Sequence, residues 1–435
     1  MRVTPFALWH RARRDSLLRN SLFMMATTVV NSAFGYLFWL AAARLFPPSA
    51  VGLASAIISV SMVISLCSRL GIATVLIQSL PGDKDPAAWW LSLWTLTLTG
   101  TATTVVLSCA ALLILPLVAP EFTPLSHPIY WLVFGVATLA GTVGSLLDSA
   151  FVAERVAGNM LARNTVVSGG KALLVLVLAA TGSAGVLALL GAWSLAAVVG
   201  VSVGSALVIR RVGTWHGPRL RDSVRHGRYL VRRIVGNQLV GLGGSVPPLL
   251  LPLLVTERLS ARDNAYFYTT WMMCGILLVV SPAIARSLLA EGVHSPAELR
   301  RTTKSALKIL ALILVPGMVV FLLVGTTFLA IFGPQYAQHS VLLLRLIVFS
   351  AIPDAITNVY VSVLVVERRI SRAAYLNVGM GTGTVVLSWA LLPTLGIAAV
   401  GWAWLAMQVA GCGAVGLDLA RRRCRPDPSV ATRWG

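Results

Sequence analysis

The chain has 435 residues, 57% of them hydrophobic and 11% charged, with a formal net charge of +20. Soluble domains carry about 25% charged residues, so a water-facing surface cannot be built from this supply and lipid is the main solvent. Backbone polar groups in lipid must be satisfied internally, which leaves helices or closed barrels. The apolar runs here are about 20 residues or longer and do not alternate, so they read as membrane-spanning helices.

In chain order, residues 1–19 hold five arginines ahead of the first long apolar run. Part of this segment, 5–19, reads as a short interfacial helix with Phe6, Leu8 and Trp9 toward lipid. Ala41-Ala42-Ala43 resembles a signal-peptidase site, but the preceding stretch is long for a signal peptide and further spans follow, so a signal-anchor is expected. Six spans follow at 20–43, 50–80, 88–118, 129–153, 162–181 and 187–209, then a basic linker at 210–228. A second six follow at 229–255, 264–285, 306–331, 339–366, 373–392 and 396–420, ahead of a tail at 421–435. The run at 50–80 is long for one crossing and is expected to tilt or extend past the headgroups. Pro247, Pro248 and Pro252 are expected to break the seventh span.

The positive-inside rule tests this count. With the N-terminus in the cytoplasm, 29 of the 35 Lys and Arg fall in inside segments and 3 (Arg44, Arg258, Arg262) fall outside. Three more, Arg69, Lys171 and Arg345, lie within spans. One missed span would invert every later loop and scramble that ratio. Twelve spans are therefore expected, with both termini cytoplasmic in a bacterial inner membrane. The two halves, 20–209 and 229–420, are matched in length and orientation, as parallel repeats are. Two six-helix lobes around a central cavity are the expected all-α architecture.

The basic residues sit in short clusters between apolar runs, a topology signal rather than a nucleic-acid stripe. Cys67, Cys109, Cys274, Cys412 and Cys424 lack metal-ligand spacing, so no metal or cofactor is expected and their role is packing. No Gly-rich nucleotide loop followed by Lys and Ser/Thr is present. No outside connection exceeds about ten residues, which disfavours a polymerase or ligase with a catalytic outer loop.

Ionisable residues inside the bilayer are costly and mark function by default. Arg69, Lys171 and Arg345, set against few acids, suit an anionic ligand, because guanidinium groups match phosphate oxygens. A lipid-linked diphosphate fits such a cavity, its tail remaining in lipid. Asp354, near mid-membrane, and Asp148, with Arg155 and Arg163 within reach, are candidates for ion coupling. No catalytic residue is assigned.

Several segments carry a family resemblance. The first two spans hold "NSAFGYLFWLAAARLFPPSAVGLASAI" and "RLGIATVLIQSLP"; later come Arg163-Asn164, "SPAIARSLLAEG" at 281–292 and "IFGPQYAQHSVLLLRL" at 331–346. Over about 20–370 the chain resembles the polysaccharide-export branch of the multidrug/oligosaccharidyl-lipid/polysaccharide exporter (MOP) superfamily, the Wzx-type flippases. That resemblance implies a V-shaped MATE-like fold of twelve to fourteen helices. It also implies movement of undecaprenyl-diphosphate-linked glycan between leaflets, as in O-antigen and lipopolysaccharide biosynthesis, beside glycan polymerases and glycosyltransferases. The family's cavity cations map onto Arg69, Lys171 and Arg345. A multidrug or cation antiporter of the same fold is the alternative.

Overall fold

The computed structural model of the chain describes residues 16–69, 71–82, 85–182, 185–213, 239–294 and 298–424. Residues 5–15 of the expected interfacial helix, most of the linker at 210–228 and most of the tail at 421–435 lie outside the described residues, while residues 16–19 open the first helix.

Among the described residues the regular structure is helical. The first helices are α1 (Ser16–Leu45), α2 (Pro48–Ser68), α3 (Ile72–Ser79), α4 (Pro86–Val118), α5 (Pro128–Ala153), α6 (Ala157–Ala180) and α7 (Val186–Val212). They are followed by α8 (Leu239–Arg258), α9 (Ala261–Leu278), α10 (Val280–His294), α11 (Leu299–Phe332), α12 (Pro334–Val366), α13 (Ile370–Leu395) and α14 (Ala398–Cys424). Proline sets the starts: α2, α4, α5 and α12 each have Pro in the first turn, where the missing N–H costs nothing. Among the described residues eleven spans are long and apolar enough to cross a membrane, one of them, Ala261–Leu289, running from α9 into α10. The position of the twelfth is taken by α8, whose 20 described residues include three prolines.

Two expectations change in detail. Residues 50–80 are not one continuous helix; the second span ends at Ser68 and restarts at Ile72 after Gly71, whose φ of 72° suits glycine. Conversely α8 continues through Pro247, Pro248 and Pro252 rather than breaking there. A transmembrane helix tolerates proline when neighbouring groups re-satisfy its backbone.

The chain divides into two units, residues 1–238 with 260–265, and residues 239–259 with 266–435. Within the first, α1 packs on α6, α5 and α6 on α7, and α4 and α3 on α5. Within the second, α8 packs on α13, α12 and α13 on α14, and α11 and α10 on α12. The same packing scheme therefore occurs twice, and in each unit the second span is interrupted, at 69–71 and again near Val279.

The lipid-facing side is plain in the exposed apolar residues, such as Leu113 and Leu117 on α4 and Leu312 and Leu323 on α11. Inside each unit, small residues let helices approach where the hydrophobic effect gives little drive. A Cβ at Gly401 on α14 would lie 2.8 Å from Leu346 Cβ on α12. Hydroxyl pairs add polar contacts: Thr138 Oγ1 donates to Ser61 Oγ at 3.0 Å, and Thr104 pairs with Thr142 at 3.0 Å.

Candidate functional site

The first unit holds a polar cluster centred on Asp148 of α5. The turn at Glu154–Val156 sends α6 back alongside α5, so residue 163 returns to the level of residue 148. Arg163 Nε and Nη2 donate to the two carboxylate oxygens of Asp148 at 2.9 and 2.8 Å. Asn164 Nδ2 donates to Asp148 Oδ2 at 3.0 Å. The cluster reaches α1 through Asn31, whose Nδ2 donates to Asn164 Oδ1 and whose Oδ1 accepts from Ser168. Arg163 is a buried residue of α6. Its slot is carved by glycines, since a Cβ at Gly144 would fall 2.3 Å from Arg163 Nη1 and one at Gly204 2.9 Å from its Cδ.

Arg69 caps the broken end of α2, with its backbone N–H bonded to Ser65 O and its Nε buried without a hydrogen-bond partner. Asp148 is close enough to act on it electrostatically. Lys171 sits two turns along α6 from Asn164, half-buried, with Nζ 4.1 Å from the centroid of the Trp193 ring. Phe38 of α1 stands 6.0 Å from the same ammonium and packs edge-on to Trp193. Among the described residues no carboxylate lies within ion-pair distance of Lys171 or Arg69. A cation held over an aromatic face keeps its charge available, at about 1–2 kcal/mol of attraction.

In the second unit, Asp354 on α12 is buried and is held by a network spanning three helices. Ser281 of α10 donates to its Oδ2 and Gln408 of α14 to its Oδ1, the latter at 3.2 Å. Thr357 fixes Gln408 through a 2.9 Å bond to Oε1, and Asn358 donates to Ser281 Oγ at 3.1 Å. Against this network lies a cavity of about 100 Å³ bounded by Pro247 and Pro248 of α8, Asn377 and Thr384 of α13, and Trp404 of α14. One carboxylate, several amide and hydroxyl oxygens and little room suit a small hard cation rather than a bulky organic one. Arg345 also lies on α12, but on a different face; it is exposed between the exposed apolar residues Leu342 and Phe349.

The five site residues expected from sequence therefore fall into three settings. Asp148 and Arg69 share the cluster near the α2 break, with Lys171 further along α6, while Asp354 and Arg345 belong to the second unit on separate faces of one helix. Ser281, Asn358 and Gln408 did not stand out in the sequence. Ser281 opens a segment notable only for its family resemblance, and single amides within apolar helices carry no spacing signal. Among the described residues no three of His, Cys, Asp and Glu come together as a metal site, and Cys67, Cys109, Cys274 and Cys412 are free thiols.

The packing scheme is used twice, with polar groups inside each unit, and known helical membrane proteins share this fold. The chain superposes on an inward-facing multidrug resistance MATE family transporter of the MOP superfamily with a TM-score of 0.73 and 14% identity, covering 90% of this chain and 94% of that one. It superposes on the lipid II flippase MurJ in an inward closed conformation with a TM-score of 0.75 and 9% identity, covering 90% and 85%. A MOP superfamily transporter from Pyrococcus furiosus matches with a TM-score of 0.61 and 15% identity, covering 94% and 95%. No curated protein matches by sequence. Residues 41–341 match the model of a family described as polysaccharide biosynthesis protein, and the chain belongs to that family. By family it is a polysaccharide biosynthesis protein, and its fold is the multi-helix fold shared by MATE transporters of the MOP superfamily and the MurJ flippase.

Proposed function

We propose that this chain is a flippase that moves a lipid-linked glycan, on an undecaprenyl-diphosphate-type carrier, from the inner to the outer leaflet of a bacterial cytoplasmic membrane. The observation that carries the reading is the pair of cations in the first unit. Arg69 and Lys171 lie in the spans with no carboxylate in ion-pair range among the described residues. Charges kept in a membrane protein without a carboxylate in direct contact suit a ligand that brings its own negative charge. The family's polysaccharide-biosynthesis description and the likeness to a lipid II flippase point to a glycan lipid as that ligand.

Arg69 and Lys171 take the diphosphate in the first unit, and Arg345 is the candidate substrate cation of the second. Asp354 supplies the coupling carboxylate, its cavity admitting a proton or a sodium-sized ion. Glycosyltransferases supply the substrate and a glycan polymerase consumes it. The Asp354 cavity is also what a cation-coupled antiporter of this fold would need, so dye export against an ion gradient is the competing reading. Restoration of surface glycan in a deletion strain separates the two. Wild type should restore it, and Lys171→Ala and Arg345→Ala should not, although both variants reach the membrane. Full restoration by both variants would remove these residues from the site.

A further inference from the structure

Two residues other than glycine have positive φ among the described residues, and both are arginines: Arg155 at 55° and Arg368 at 60°. They occupy the same place in the repeat. Each follows a glutamate that caps a long helix, Glu154 after α5 and Glu367 after α12. Each closes the same helix end: the residue after the arginine bonds back five positions, Val156 N to Phe151 O and Arg369 N to Leu364 O. This is a Schellman ending, whose left-handed position is normally glycine. Twice the chain places at this corner a long cationic side chain that the backbone resists, and such persistence marks function more often than accident.

Beside Arg155 there is a place for a ligand. A cavity of about 530 Å³ lies between Ile77, Leu80 and Pro81 on one side and Val152, Glu154 and Arg155 on the other. Five of its seven lining residues are apolar, while polar atoms make up more than half of the surface it exposes. Glu154 is engaged elsewhere, accepting from Trp89 Nε1 at 3.0 Å with Arg211 3.8 Å away. Arg155 is exposed and pairs with no carboxylate among the described residues, and Arg210 and Arg211 end the neighbouring helix α7. A cavity that combines apolar side chains with a polar surface and the Arg155 guanidinium, on the side the positive-inside rule assigns to the cytoplasm, suits an amphiphile with an anionic headgroup.

We propose that this corner is a binding site for an anionic phospholipid of the inner leaflet. Arg155 holds the headgroup phosphate, and Ile77 and Leu80 lie against the acyl chain. The backbone at Arg155 is left-handed where α5 ends, and the residue lines the cavity. This site is separate from the transport cations and does not depend on what the protein carries.

The full chain is reconstituted in nanodiscs of equimolar phosphatidylglycerol and phosphatidylcholine, with a photoreactive benzoylphenylalanine replacing Ile77. After irradiation the lipid adducts are identified by mass spectrometry. Wild-type Arg155 should give phosphatidylglycerol adducts in excess by about fivefold, the scale of one basic side chain at an anionic surface. Arg155→Gln should bring the ratio to parity, and Arg301→Gln, an equal loss of charge on α11, should leave it unchanged. Parity in the wild type, or an excess that survives Arg155→Gln, overturns the proposal, as does preferential capture of an added polyprenyl diphosphate. Because a reporter at Ile77 can itself disturb the wall, a second measurement counts phosphatidylglycerol retained on the unlabelled chain in native mass spectra. Arg155→Gly, which suits the backbone, should retain one molecule fewer. Equal retention would refute the site.

Discussion

Arg163 is stable inside an apolar helix because its charge is met twice, through Nε and Nη2, by one carboxylate that Asn164 also holds. Removing one partner of a buried pair leaves the other uncompensated, at a cost of about 3–5 kcal/mol. Arg163→Ala should therefore lower the thermal unfolding midpoint in detergent sharply, and Asp148→Asn added to it should recover part of the loss. Arg155 offers the opposite case. Its left-handed φ costs about 1–2 kcal/mol that glycine avoids, so Arg155→Gly should melt no lower than wild type, and a clear fall would show a structural role for the side chain. Sequence alone left Asp148 with two possible partners, since spacings of 7 and 15 residues both permit a contact. The fold decides, because the turn at 154–156 sends α6 back past Asp148 while Arg155 stays at the exposed corner.

Glycine explains why elements that attract each other little pack closely in this chain. At Gly144 and Gly204 the absent side chains make room for a guanidinium, so these positions belong to the ion pair as much as Asp148 does. Gly144→Ala should displace Arg163 and destabilise about as much as Arg163→Ala. The double variant should cost little more than either alone, the sign of a shared interaction in a mutant cycle; full additivity in the melting data would disprove the link. Helix positions were largely legible from runs of apolar residues and from prolines and glycines at the joints, because length and hydropathy control crossing. The break after Ser68 was not, since Arg69-Leu70-Gly71 contains one glycine and no proline. Nor was continuity through Pro247 and Pro248, which depends on neighbours rather than local propensity.

At the scale of the molecule, two readings from sequence meet the structure differently. The repeat, suggested by matched lengths and topology, appears again as helix pairs packed in the same scheme and as twin Glu-Arg corners. The orientation rests on the cation count: 29 basic residues against 3. A green fluorescent protein fused to the C-terminus should fluoresce, and alkaline phosphatase fused after Leu259 should be active; the reverse pattern would invert the topology. The candidate site was legible only as a set of expensive charges. Their partners are amides, hydroxyls and aromatic faces contributed by distant helices, and no local pattern announces them.

Lipid-linked glycan transport by way of the first unit's cations is tested most directly in proteoliposomes. A fluorescent polyprenyl-diphosphate oligosaccharide is placed in both leaflets and its accessibility to an external quencher is followed over time. The purified chain should equilibrate the lipid between leaflets, with Lys171→Ala and Arg69→Ala slowing the rate by about tenfold or more, the scale of one lost charge-assisted contact. Wild-type vesicles that leave the inner pool protected, as protein-free vesicles do, would contradict the account.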